Sequence, residues 1–255
     1  MSINYDRYLK VCRQAVEDER VFNTFKSNPD YTWVLEHVTP AQGKDYLDEI
    51  KKIRPELLDM MKVFASNDLI GNPALHYYED INMFMSPTTL RYVKVLADLK
   101  RMGVSLYDMD IVEIGGGYGG QCKIIYDVCK PRSYTIIDLP DVLELATKYL
   151  KAHNISITAR MPNDAREIKY DVFISNYAFT EIDRKSQEFY IEHVINHCKL
   201  GYMTCNFVDI GDKLSKKEIL SLHVDGVALE TPEVPLTSPN NFIYAWNRLD
   251  TRSEV

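Results

Sequence analysis

Residues 112–121, VEIGGGYGGQ, place a carboxylate, Glu113, just ahead of five glycines in six positions. The β-type run Asp110-Ile111-Val112 leads into them, and a helix-patterned segment follows. An acid at a strand end followed by glycines lets the backbone turn sharply and brings its N–H groups close to a ligand at a helix N-terminus. Any larger side chain would fill that space. Asp138, 21 residues beyond Gly117, ends a second β-type run and can accept hydrogen bonds from two ribose hydroxyls. The same carboxylate suits an N-cap for a helix beginning at Pro140, and the two roles are compatible.

Two ligand chemistries use such a turn. The spacing Gly115-x-Gly117-x-x-Gly120 fits a dinucleotide fingerprint, in which backbone and helix dipole receive a pyrophosphate. The overlapping Glu113-x-Gly115-x-Gly117-x-Gly119 resembles the S-adenosylmethionine (SAM) signature of class I methyltransferases, whose acid helps hold the cationic amino-acid end of SAM. Position separates the two. Dinucleotide folds place the glycine loop after their first strand, whereas here a long helix-patterned region comes first, which fits a SAM-binding core behind a helical cap.

The segment DVFISNYAFTEI, residues 171–182, narrows the resemblance. Together with VEIGGGYGGQ and TIIDLPDV it resembles a family of sugar O-methyltransferases within class I, and the GNP turn at 71–73 and SPTTLRY at 86–92 are similar to that family too. The resemblance spans roughly residues 70 to 246. It implies a Rossmann-like α/β fold whose mostly parallel seven-stranded sheet carries an antiparallel last strand, and it implies SAM as cofactor. By the same resemblance Glu113, Gly115 and Gly117 line the methionine and ribose portion, Asp138 and its neighbour Leu139 the ribose, Asp164 the adenine edge, and Asn176 the amino-acid end near the methyl donor.

Methyl transfer to a hydroxyl needs in-line alignment and a group to take the proton. Glu181, just past the fourth strand, and His76, in the polar segment 71–84, are the candidate bases. Each also has an ordinary role open to it: Glu181 as an orienting group for the Asn176 loop, His76 as a packed loop residue. Tyr77, Tyr78 and Tyr177 are candidates to stack on sugar faces, and Asn240 and Asn241 to hydrogen-bond hydroxyls. Metal-dependent relatives carry an Asp after strand four and an Asp-Asn pair near strand five. This chain reads Ser175-Asn176 and Asn206-Phe207-Val208-Asp209, so no metal is expected, with Asp209 keeping the question open.

Elements must position these groups. Helical spacing at Tyr5, Leu9, Cys12 and Val16, and a well-punctuated helix from Ser86 to Met102, make 1–105 a helical cap. From 106 to 255 strands and helices alternate, with strands expected at Asp110 to Ile114, Tyr134 to Asp138, Ile155 to Thr158, Asp171 to Ser175, Tyr202 to Phe207, Val224 to Leu229 and Phe242 to Trp246. A net charge of -7 argues against a phosphate-binding surface, so nucleic acid is not an expected partner. No stretch approaches the ~20 apolar residues of a membrane span, and the first residues lack a signal-peptide core. The odd set of five cysteines without a CxxC fits free thiols, and a cytoplasmic location is expected. The expected acceptor is a sugar or glycan. Another small molecule, a nicotinamide oxidoreductase and a noncatalytic SAM binder remain as alternatives, and a homo-oligomer is compatible with the sequence.

Overall fold

The computed structural model describes residues 5–164, 169–206, 211–222 and 227–247. The chain divides into two compact units. One comprises Met1–Ser105, Gly117–Lys130 and Leu139–Ile157, the other Leu106–Gly116, Pro131–Asp138 and Thr158–Val255.

The first unit is helical. It contains α1 (Tyr5–Glu17), α2 (Glu19–Phe22), α3 (Pro29–Thr32), α4 (Pro40–Ile53), α5 (Met61–Phe64), α6 (Pro87–Arg101), α7 (Gly120–Val128) and α8 (Pro140–Ala152), with a hairpin of β1 (His76–Tyr78) and β2 (Met83–Met85). Helix α4 starts at a capping box in which Thr39 and Gln42 satisfy each other's backbone N–H, followed by Pro40 in the first turn. Helix α6 starts where Ser86 accepts from Thr88 N at 3.2 Å. Burial runs all round α6 from Pro87 to Leu99, and two of its charges are paired inside: Lys94 Nζ sits 2.6 Å from Asp98 Oδ2 with both side chains nearly inaccessible. Helix α8 packs on α1, tied by Arg13 to Asp141 at 2.8 Å and by Lys148 Nζ, which donates to the Ala15 and Val16 carbonyls at 3.1 Å. A cation there satisfies orphan carbonyls at the α1 C-terminus.

Buried tyrosines fill this unit around Asn67. Asn67 Nδ2 donates to Thr89 Oγ1 at 2.7 Å and to Tyr118 Oη at 3.1 Å, its Oδ1 accepts from Tyr149 Oη at 2.8 Å, and its carbonyl accepts from Lys26 Nζ at 2.7 Å. Tyr118, the residue inside the glycine turn, stacks edge-on against Tyr149 at 4.9 Å. Burial lowers the Lys26 ammonium to about 8, and Lys26 Nζ lies 4.1 Å from the Tyr118 ring centre.

The second unit holds β3 (Asp110–Ile114), β4 (Ser133–Ile137), β5 (Thr158–Arg160), β6 (Tyr170–Asn176), β7 (Cys198–Cys205), β8 (Val227–Pro232) and β9 (Phe242–Asn247), with α9 (Ala178–Glu181), α10 (Arg184–His193) and α11 (Lys216–Leu220). Its seven strands run in the order β5-β4-β3-β6-β7-β9-β8, all parallel except β9, which is antiparallel to both neighbours. This is the Rossmann-like architecture expected. The core stacks Phe173 on Trp246 at 5.6 Å, and Gly201, opposite Trp246 in the register, leaves the space the indole needs. The third strand begins at Thr158 rather than Ile155, because Ile155 N–H donates to Leu150 O and completes the end of α8.

Candidate functional site

Parallel strands gather their carboxyl ends on one edge. In the second unit that edge carries Gly115 after β3, Asp138 after β4, Asn176 ending β6 and Asn206 after β7. Glu113, opposite Ile136 and Ile174, is 2% exposed, and its Oε2 accepts from the Tyr134 hydroxyl at 2.8 Å. Burial pushes this carboxyl up to about 7; the Tyr134 hydrogen bond opposes the rise and Asp138 adds to it. Gly115 has φ +74°, and a Cβ there would lie 2.0 Å from the Ala178 Cβ. The glycine thus serves a protein contact, with α9 laid against the turn.

Asn176 Oδ1 accepts from Thr204 Oγ1 at 3.3 Å, while its Nδ2 is enclosed without a hydrogen-bond partner. A buried donor without a protein partner at a strand end is available to a ligand acceptor or a water. Tyr177 follows at φ +67°, rare for a residue with a side chain, and its hydroxyl donates to Glu233. Sequence reasoning missed Glu233, which lies 56 residues away and is 4% exposed. Its Oε2 accepts from Thr237 N at 3.0 Å, Thr237 Oγ1 at 2.6 Å and Asn241 Nδ2 at 2.9 Å. Asn241 is therefore a loop organiser whose buried Oδ1 retains an unused acceptor, whereas Asn240 is exposed at φ +68°.

Glu181 ends α9, and its Oε1 accepts from Asn206 Nδ2 at 2.6 Å. Thr180 Oγ1 in turn donates to Asn206 Oδ1 at 2.7 Å, so one amide fixes the loop after β6 to the end of β7. Asp164 sits exposed in a 3₁₀ turn after β5, its carbonyl accepting from Arg160 Nη1 at 3.2 Å.

Gly117, Leu139, His76, Tyr77 and Tyr78 fall in the first unit. Gly117 has φ +53°, and a Cβ on it would meet Leu35 Cδ1 at 2.7 Å. Leu139 is 41% exposed at the N-cap of α8. His76 is half-buried on β1, and Tyr77, half-exposed beside it, donates to Asn82 Oδ1 at 2.6 Å and pairs with Phe84 at 5.3 Å. Tyr78 is 5% exposed, its hydroxyl donates to Pro40 O at 3.4 Å, and burial pushes that hydroxyl up to about 12.

Among the described residues no group of three His, Cys, Asp or Glu side chains could hold a metal ion; Asp209 lies outside them. The same residues contain no helix long and apolar enough to cross a membrane.

No family model matches the sequence, and no curated protein matches it. Solved structures do. The magnesium protoporphyrin IX methyltransferase of Synechocystis PCC 6803, with bound SAM, is 14% identical over 62% of this chain and 78% of its own, at a TM-score of 0.49. A SAM-dependent methyltransferase of Clostridium acetobutylicum ATCC 824 is 10% identical over 60% of this chain and 89% of its own, also at 0.49. The mitomycin 7-O-methyltransferase MmcR is 17% identical over 55% and 48% of the two chains, at 0.42.

Proposed function

We propose that this protein binds SAM and transfers its methyl group to an oxygen of a small-molecule acceptor, a sugar hydroxyl being the acceptor class. The observation that carries the reading is the carboxyl edge of the sheet: Glu113, the Gly115 turn, Asp138 and the orphaned Asn176 amide occupy consecutive strand ends. SAM fits this set. Asp138 would hold the ribose diol, Asn176 Nδ2 would find its acceptor on the cofactor, and Glu113 would face cationic charge.

When bound, SAM supplies an electrophilic methyl on a sulfonium. The chain's part is to align the acceptor and take its proton. Glu181 is the proposed base: Asn206 tethers Oε1, and Oε2 has no hydrogen-bond partner among the described residues. His76 is the alternative. Asn241 Oδ1 and the Tyr177 ring would meet the acceptor, with Asn240 and Tyr77 as further contacts. No metal takes part in this scheme.

The test is incubation with methyl-labelled SAM and a panel of nucleotide sugars and deoxysugar glycans, with mass spectrometry to place the label. Labelled sugar ether is expected, and Glu181→Gln should lower turnover about 10² to 10⁴-fold at unchanged SAM affinity. Equal turnover in EDTA is expected. Tight NAD(P)H binding without SAM binding overturns the reading, label on a nonsugar acceptor overturns the acceptor class, and a loss confined to His76→Asn transfers the base role.

A further inference from the structure

The second unit buries two carboxylates, Glu113 and Glu233, and among the described residues no lysine, arginine or histidine pairs with either. The helical unit treats buried charge differently: Lys94 is paired with Asp98 and Lys123 with Asp127, each at 2.6 Å. Glu113 has one donor, the Tyr134 hydroxyl, and burial pushes its carboxyl up to about 7. Glu233 has four, the Tyr177 hydroxyl on Oε1 and Thr237 N, Thr237 Oγ1 and Asn241 Nδ2 on Oε2. A backbone N–H and an amide nitrogen can only give a proton, so Glu233 is bonded as an anion. Neutral donors hold that charge in place but leave it uncancelled.

Its position decides where the charge is felt. Glu233 directly follows β8, and through its hydrogen bond it reaches Tyr177, the residue after Asn176 at the carboxyl end of β6. Thr204 of β7 fixes both neighbours: its carbonyl accepts from Tyr177 N at 2.8 Å, and its Oγ1 donates to Asn176 Oδ1 at 3.3 Å. A phenol that gives its proton to a carboxylate is polarised, so its oxygen and ring become richer in electrons. Asn241 adds to the same sign. Its Nδ2 is spent on Glu233 and, at 3.1 Å, on Thr237 Oγ1, which leaves Oδ1 as a buried acceptor without a partner. An uncancelled charge beside an unmet acceptor favours a ligand that brings positive charge.

We propose that Glu233, acting through Tyr177, makes the site prefer the sulfonium of SAM to the neutral sulfur of S-adenosylhomocysteine. The assignment rests on the SAM reading above and draws on residues of the second unit alone. It gives the buried charge a use in turnover. The cofactor brings the missing cation, and methyl transfer breaks the sulfur–methyl bond and leaves a thioether, so the attraction ends with the reaction and the product is held less tightly than the cofactor it came from.

Calorimetry with SAM, S-adenosylhomocysteine and sinefungin, whose protonated amine stands in the place of the sulfonium, tests it. Glu233→Gln removes the charge and keeps the shape: the amide oxygen can still accept from Thr237 and Asn241, and the amide nitrogen can donate to Tyr177 Oη. It should weaken SAM and sinefungin about 10-fold, the scale of one charge felt across a partly screened interior, and leave S-adenosylhomocysteine within about twofold. Glu233→Asp keeps the charge and should hold the ratio of SAM to S-adenosylhomocysteine affinity within about threefold of wild type. Thermal melts give the fold control. If Glu233→Gln does not fold, Tyr177→Phe decides, since it cuts only the link and should weaken SAM about three- to fivefold with S-adenosylhomocysteine unchanged. A ratio unaltered in Glu233→Gln, equal weakening of all three ligands, or a ratio that falls as far in Glu233→Asp overturns the assignment and leaves the SAM reading standing. Wild-type protein that binds none of the three refutes the SAM reading and this role with it.

Discussion

Glu113 is an acid whose protonation is governed by its burial. Its folded-state value of about 7 lies above the ~4.3 of a solvated Glu. The folded protein therefore holds a proton that the unfolded chain has released between those values. The stabilisation from that proton is complete below about pH 4.3 and is lost as pH rises through 7, a difference of up to about 4 kcal/mol. Glu113→Gln removes the titration while leaving an acceptor for Tyr134. Urea unfolding at pH 5 and pH 8 should show wild type losing stability relative to the variant across that interval. Parallel pH dependence in the two proteins would show that Glu113 is solvated or otherwise compensated. The motif singles out Glu113 as a candidate ligand group but does not reveal its hydroxyl partner, since Tyr134 is 21 residues away and reaches it only through strand pairing.

At the scale of elements, the sheet depends on a glycine with no part in the cofactor motif. Gly201 lies opposite Trp246, and a Cβ on it would come 2.0 Å from the indole. Gly201→Ala should destabilise the fold by about 1–3 kcal/mol, the cost of overpacking a tight core, and Trp246→Leu in the same chain should recover part of it. Denaturant unfolding measures both; an unchanged midpoint in Gly201→Ala would mean the strands move apart freely. The sequence gives no warning of this contact, because strand order is set by long-range pairing. It does reveal β3 and α8 to the residue, since an apolar run and a Pro-Asp start are local signals. The hairpin β1–β2 escapes notice because three-residue strands have too few positions to show alternation. The all-round burial of α6 is hidden for a related reason: Lys94 and Asp98 look like a solvated face until their mutual pairing is seen. Glu233 likewise comes to notice only through Tyr177, 56 residues off in sequence.

For the molecule as a whole, the helical unit is assembled from three separated stretches, Met1–Ser105, Gly117–Lys130 and Leu139–Ile157. The N-terminal stretch lacks Tyr118 and Tyr149, which complete the bonds of Asn67, and Lys148, which caps α1. A fragment of residues 1–105 should therefore show no cooperative thermal transition and rapid proteolysis, although the sequence alone marks it as a cap. A sharp two-state melt of that fragment would contradict this account. Synthesis on the ribosome meets the same constraint as a delay. Helix α1 is finished early, but its partner α8 begins only at Pro140, so at the usual pace of translation the side of α1 destined for α8 waits roughly 10 s for cover. During that interval the nascent chain offers an uncovered helix to chaperones and proteases.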